Sequence, residues 1–157
     1  MRSQVLGFGA WLAVVFAAAS IGAIASIDAS TFYGQLQKPS WAPPASVFGP
    51  VWSTLYALMG VSAWLVWREP PAARRALWLF VGQLVANALW SWLFFAWRQG
   101  ALAFIDVLAL LALIVATIVS FWRLNRVAAV LLVPYILWVA FASALTWAVW
   151  RANPMVL

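Results

Sequence analysis

Aromatic and amide side chains at helical spacing are the residues of this chain best suited to chemistry, and they suit the binding of a flat, conjugated ligand. Trp52 and Tyr56 lie four apart, and Asn87 and Trp90 three apart. Trp138, Ala142, Leu145 and Thr146 continue the pattern, and each set shares one helix face. Tryptophan faces stack well on an extended ring, and amide or hydroxyl groups fix its orientation. Such stripes are also what helix–helix seams look like, so spacing alone leaves both readings open. Trp41 and Lys38 lie in a proline-rich stretch, and Lys38 is placed to meet the carboxylates of an amphiphilic ligand. Asp106 is the only acid inside an apolar segment. A carboxylate there is expected to pair with Arg98, Asn87 or a tryptophan N–H in a structural role; the alternative is contact with ligand or protons. With no Cys and no His, the chain lacks disulfides, zinc ligands, the usual haem ligands and the commonest general base. No metal and no cofactor are expected, and a proton relay has no second group to work with.

Five apolar segments must position these side chains: Val5–Ile27, Val47–Trp67, Arg75–Trp97, Ala101–Trp122 and Val127–Trp150. Each is long enough, at about 1.5 Å per residue, to cross a hydrocarbon core of about 30 Å. The 157 residues are 68% hydrophobic and 8% charged, which leaves no surface for water. The fold class is therefore all-α, a single polytopic domain over 1–157 built as a compact bundle of five transmembrane helices. The net charge of +6 comes from arginines at segment ends, as membrane topology requires, and no nucleic-acid partner is expected. Trp64, Trp67, Trp78, Trp97, Trp122, Trp147 and Trp150 lie near segment ends and fit an interfacial belt. The first segment has a signal-like start and an Ala23-Ile24-Ala25 cleavage pattern, but its apolar run exceeds a signal core, so it reads as a retained helix. Its Ala18, Gly22 and Ser26 form a small-residue face for close packing, within the chain or between subunits.

Positive residues divide six to three between the two sides: Arg2, Arg68, Arg74, Arg75, Arg123 and Arg126 against Lys38, Arg98 and Arg151. That bias puts the N-terminus in the cytoplasm of a bacterial-type cell membrane and the C-terminus outside. The turns at 98–100 and 123–126 are tight, so their helices pack antiparallel, and Pro70-Pro71 stops the second helix. The long loop Asp28–Ser46 holds Pro39, Pro43 and Pro44, which pre-order the backbone. With five alternating helices, Trp52, Tyr56, Asn87, Trp90, Asp106, Trp138, Ala142 and Thr146 all fall in the halves nearest that loop. Aromatic and polar residues thus converge at one depth, and a pocket beneath the loop is expected.

The ordered motifs have a further consequence. They are Lys38-Pro39-x-Trp41-x-Pro43-Pro44, then Phe48-Gly49-Pro50-Val51-Trp52 with Tyr56 and Met59-Gly60. Next come Gln83-Leu84-x-x-Asn87-x-x-Trp90-Ser91-x-x-Phe94-Phe95, Val133-Pro134-Tyr135-x-x-Trp138 and Trp150-x-x-Asn153-Pro154. In this set the chain resembles the TspO/MBR family, the tryptophan-rich sensory proteins that include the translocator or peripheral benzodiazepine receptor. The resemblance implies a homodimeric five-helix bundle that binds porphyrins of the protoporphyrin IX type. It also implies that Trp41, Trp52, Asn87, Trp90, Trp138, Ala142 and Leu145 line or close the pocket. Thr146 stands where the family usually has Asn, and Trp147 where animal members carry the tyrosine of a sterol motif, so sterol binding is not expected.

Three functions follow from these expectations. The first is a porphyrin sensor or scavenger, without conventional catalysis but with the light-dependent porphyrin degradation to which some bacterial members are linked. The second is a transporter of porphyrins or other amphiphiles, though few charges leave it no visible coupling-ion site. The third is a structural subunit of a partner complex.

Overall fold

A bilayer core offers no water to backbone polar groups, so an apolar segment crosses it only with its own hydrogen bonds closed. The computed structural model, which describes residues 2–69 and 73–157, meets this condition with helices alone and no strand among the described residues. They are α1 (Arg2–Ala25), α2 (Ala29–Gln35), α3 (Phe48–Trp67), α4 (Ala73–Ser91), α5 (Gly100–Leu124), α6 (Arg126–Leu131) and α7 (Val133–Ala152). A single 3₁₀ turn at Ala45–Val47 leads into α3, and a π-helical turn at Trp92–Ala96 extends α4. Five stretches are long and apolar enough to cross a membrane: Gln4–Ala25, Ala45–Trp67, Ala73–Ala96, Gly100–Leu124 and Arg126–Ala152. Apolar side chains cover the outside, as in Val85, Ile105 and Leu137, each more than 60% exposed. The stop expected at Pro70-Pro71 lies outside the described residues.

Two features depart from five plain helices. The long loop is partly helical, since Ala29–Gln35 forms α2. The fifth span is broken, because Pro134 has no N–H to carry the helical ladder through the α6–α7 junction. There Leu132 N–H bonds Ala129 O at 3.1 Å instead of Ala128 O. The displaced Ala128 carbonyl is rescued from α3, where Ser62 Oγ donates to it at 2.7 Å. Asn125 caps the start of α6 by accepting from Ala128 N–H at 3.0 Å, which keeps the α5–α6 turn tight. As a result α6 packs on α3 and α5, while α7 packs mainly on α5.

The helices meet through small residues and a buried apolar core that includes Val15, Met59, Phe80, Ile114 and Phe121. At Gly60 an added Cβ would lie 2.6 Å from Leu12 Cδ2 and 3.2 Å from Val15 Cγ2, so glycine sets how closely α1 and α3 approach. Gly22 meets Ser91 of α4 in the same way, at 3.2 Å from its Oγ. The small face of α1 is therefore used within the chain.

Candidate functional site

Between α1, α3, α4 and α7, a cavity of about 380 Å³ opens beneath the long loop. Four spans and α2 line it; α5 supplies no wall. From α3 come Trp52 and Tyr56, from α4 Asn87 and Trp90, and from α7 Trp138, Ala142, Leu145 and Thr146. Helical spacing brings these eight expected residues to one space. Its volume falls in the range of drug-sized ligand sites, about 300–1,000 Å³.

Aromatic rings make the walls. Trp52 leans on Tyr56 at 5.6 Å between centroids and on Tyr135 at 6.2 Å. Trp90 stacks on Phe94 at 5.2 Å and 14°, with Phe95 edge-on at 5.7 Å. Phe94 and Phe95 both reach the cavity. They lie in the π-helical turn, where Trp97 N–H bonds Trp92 O at 2.8 Å and the wider spiral narrows the angle between neighbours. Trp138 meets Phe48 at 5.9 Å, an aromatic bridge between α7 and the start of α3. The indole N–H groups of Trp90 and Trp138 are buried and have no acceptor among the described residues. Leaving a buried donor unpaired costs about 1–3 kcal/mol, which a ligand acceptor could offset.

The floor is a closed hydrogen-bond chain. Tyr56 donates to Asn87 Oδ1 at 2.7 Å, and Asn87 Nδ2 donates to the Tyr135 hydroxyl at 3.0 Å. Tyr135 donates to Gln83 Oε1 at 2.6 Å, and Gln83 Nε2 ends the chain on Met59 Sδ at 3.8 Å. All five side chains are buried, so every polar group on this path needs its partner. The ordered motifs held Gln83, Asn87 and Tyr135, but spacing did not join Tyr135 to the other two. The available signal was a tyrosine hydroxyl inside a span, which must find a partner there.

The lid over the cavity is held by its own contacts. Lys38 Nζ donates to Tyr33 O at 2.7 Å and Leu36 O at 2.9 Å, and lies 4.9 Å from the Tyr33 ring centroid. It is exposed and turned into the loop, and does not line the cavity. Tyr33 donates to Pro43 O at 3.0 Å, and burial pushes its phenol above the ordinary range, so it remains a donor. Asn153 straps the loop to the end of α7. Its Oδ1 accepts from Gln37 N–H at 2.9 Å, and its Nδ2 donates to Gln37 O at 2.9 Å and Val149 O at 2.7 Å.

Trp41 is 49% exposed and packs on Phe141 at 5.8 Å, outside the lining. Asp106 sits on α5 outside the cavity lining, and its buried Oδ2 has no hydrogen-bond partner among the described residues. Two of the partners expected for it are committed elsewhere, Asn87 to the two tyrosines and Arg98 over the Phe32 ring at 4.8 Å. Lining residues not expected from the motifs include Ala19, Ala23 and Tyr33.

Fold and cavity together define a small polytopic α-helical membrane protein with a tryptophan-rich internal cavity. The TspO/MBR family model matches residues 10–151, and the chain belongs to that family. It is 44% identical over 126 residues to the translocator protein of Homo sapiens, covering 78% of this chain and 75% of that one. It is 37% identical over 150 residues to protein CrtK of Rhodobacter capsulatus, covering 94% and 92%. Identity to the tryptophan-rich protein TspO of Chlorobaculum tepidum is 37% over 162 residues, covering 98% and 100%.

Proposed function

We propose that the cavity binds a porphyrin of the protoporphyrin IX type and that the protein acts as a membrane sensor or scavenger of it. The observation that carries this reading is the convergence of Trp52, Trp90 and Trp138 on one loop-covered cavity. Large rigid rings hold a flat conjugated ligand by stacking and area burial, at little cost in side-chain entropy. The reading favours a metal-free ring, because the chain has neither His nor Cys to ligate haem iron tightly. Close contact between a photosensitising ring and indoles also supports light-driven loss of the porphyrin, with dioxygen as oxidant. The proposed topology keeps the N-terminus cytoplasmic, and the proposed assembly is a homodimer.

The test is a protoporphyrin IX titration of purified protein in detergent, followed by tryptophan quenching, beside Trp138→Phe. Saturable quenching that weakens in the variant is expected. Equal, non-saturating quenching in both proteins would mean partitioning into detergent and would overturn the reading. Uptake of the porphyrin into sealed proteoliposomes would instead favour transport. If replacing Trp52 and Trp138 by Phe leaves light-driven porphyrin loss unchanged, the degradation proposal fails.

A further inference from the structure

The chain from Met59 to Tyr56 has a direction, and the direction begins at a residue that cannot donate. A thioether sulfur carries no hydrogen and can only accept, so the group facing Met59 Sδ at 3.8 Å must be the Gln83 amide nitrogen. Gln83 Oε1 is thereby turned to Tyr135, whose single hydroxyl hydrogen goes to it at 2.6 Å. With that hydrogen committed, Tyr135 can only accept from Asn87, which places Nδ2 at 3.0 Å from it and turns Oδ1 to Tyr56. Tyr56 in turn gives its only hydrogen to Oδ1 at 2.7 Å. Each step follows from the donor inventory of the side chains.

Met59 and Gln83 are fully buried and do not line the cavity, whereas Tyr56 and Asn87 do. We infer that Met59 and Gln83 are positioning residues that set the hydrogen-bond polarity of the cavity floor, so that Tyr56 meets a ligand only as an acceptor. The spare Nδ2 hydrogen of Asn87 supplies a donor beside it. The complementary ligand edge carries an N–H or O–H donor next to a carbonyl-type acceptor, as a flat lactam does. Anionic groups of an amphiphilic ligand are left at the mouth, because the hydroxyl oxygen of Tyr56 would repel them. The inference rests on the reading of the cavity as a site for flat ligands, and it adds the polar edge that the floor selects; a porphyrin, whose rim carries no such pair, would enter by its apolar edge.

Two flat tricyclic probes test it: phenanthridin-6(5H)-one, a lactam, and benzo[c]chromen-6-one, the lactone in which ring oxygen replaces N–H. Their shapes match, so stacking and partitioning nearly cancel between them. Calorimetric titration of the full-length protein in detergent, against a detergent blank, is expected to show the lactam binding about tenfold tighter, the scale of one unmet buried hydrogen bond. Met59→Leu keeps the volume and removes the sulfur acceptor. Gln83 can then turn over, both directions of the chain become accessible, and the preference should fall toward one while both probes still bind. A merely structural defect would weaken both probes together and leave their ratio unchanged. Equal affinities in the unaltered protein would overturn the polarity, and an unchanged ratio in Met59→Leu would overturn the role of Met59. Saturable binding of neither probe would overturn the ligand-site reading itself.

Discussion

Replacing Asn153 by alanine removes the strap between the long loop and the end of α7, and its effect can be worked from three contacts. The side chain holds Gln37 N–H and Gln37 O, both at 2.9 Å, and its own helix carbonyl Val149 O at 2.7 Å. Gln37 is exposed, so once released its backbone groups find water and the loss is the net value of each bond, not the full desolvation penalty. Two loop bonds at about 1 kcal/mol each shift the closed–open equilibrium of the loop by roughly 30-fold. Hydrogen exchange at the Gln37 amide should quicken by a similar factor, about 30-fold, if opening limits exchange. Amides in the middle of α3 and α5 should keep their protection, because the side-chain hydrogen bonds of Asn153 go only to Gln37 and Val149. Asn153→Asp separates shape from chemistry: it is isosteric, yet it sets an anionic oxygen against Gln37 O and Val149 O. It should therefore loosen the loop at least as much as alanine does. Unchanged exchange at Gln37 in Asn153→Ala would refute the strap.

Three further outcomes follow from the packing. Gly60→Ala should destabilise the protein by about 1–3 kcal/mol through overpacking against α1, whereas Gly82→Ala, with nothing within 4 Å of the added Cβ, should be neutral. Thermal unfolding in detergent compares the two, and equal melting temperatures would count against the close α1–α3 approach. Ser62→Ala leaves the Ala128 carbonyl without its donor and should cost about 1–3 kcal/mol in the same assay. Asp106→Asn removes from a span a carboxylate whose buried Oδ2 has no partner among the described residues, so the melting temperature should hold or rise; a clear fall would reveal a partner for the charge.

How much of this was legible in the residues depends on the range of the forces involved. Crossing a bilayer is a demand on each segment alone, met by length and hydropathy, so the five spans could be read locally. Alternation across the membrane then placed Trp52, Asn87 and Trp138 at one depth, and the 3.6-residue period put their neighbours on the same faces. The cavity of about 380 Å³ has those residues in its wall for that reason. Lys38 was less legible, because its charge suggested contact with ligand carboxylates while nearby carbonyls of its own loop hold it. Hydropathy reads Val127–Trp150 as one continuous span; Pro134 breaks its ladder, and whether the span tolerates the break depends on Ser62, a residue in another helix. The strap joins Gln37 to Asn153 across 116 positions, and the floor joins Tyr56, Gln83, Asn87 and Tyr135 from three helices. Hydropathy and periodicity determined which segments enter the membrane and which faces turn inward. Which polar group meets which was decided only by tertiary packing, since a hydrogen bond is set by distances of tenths of an ångström between residues far apart in the chain.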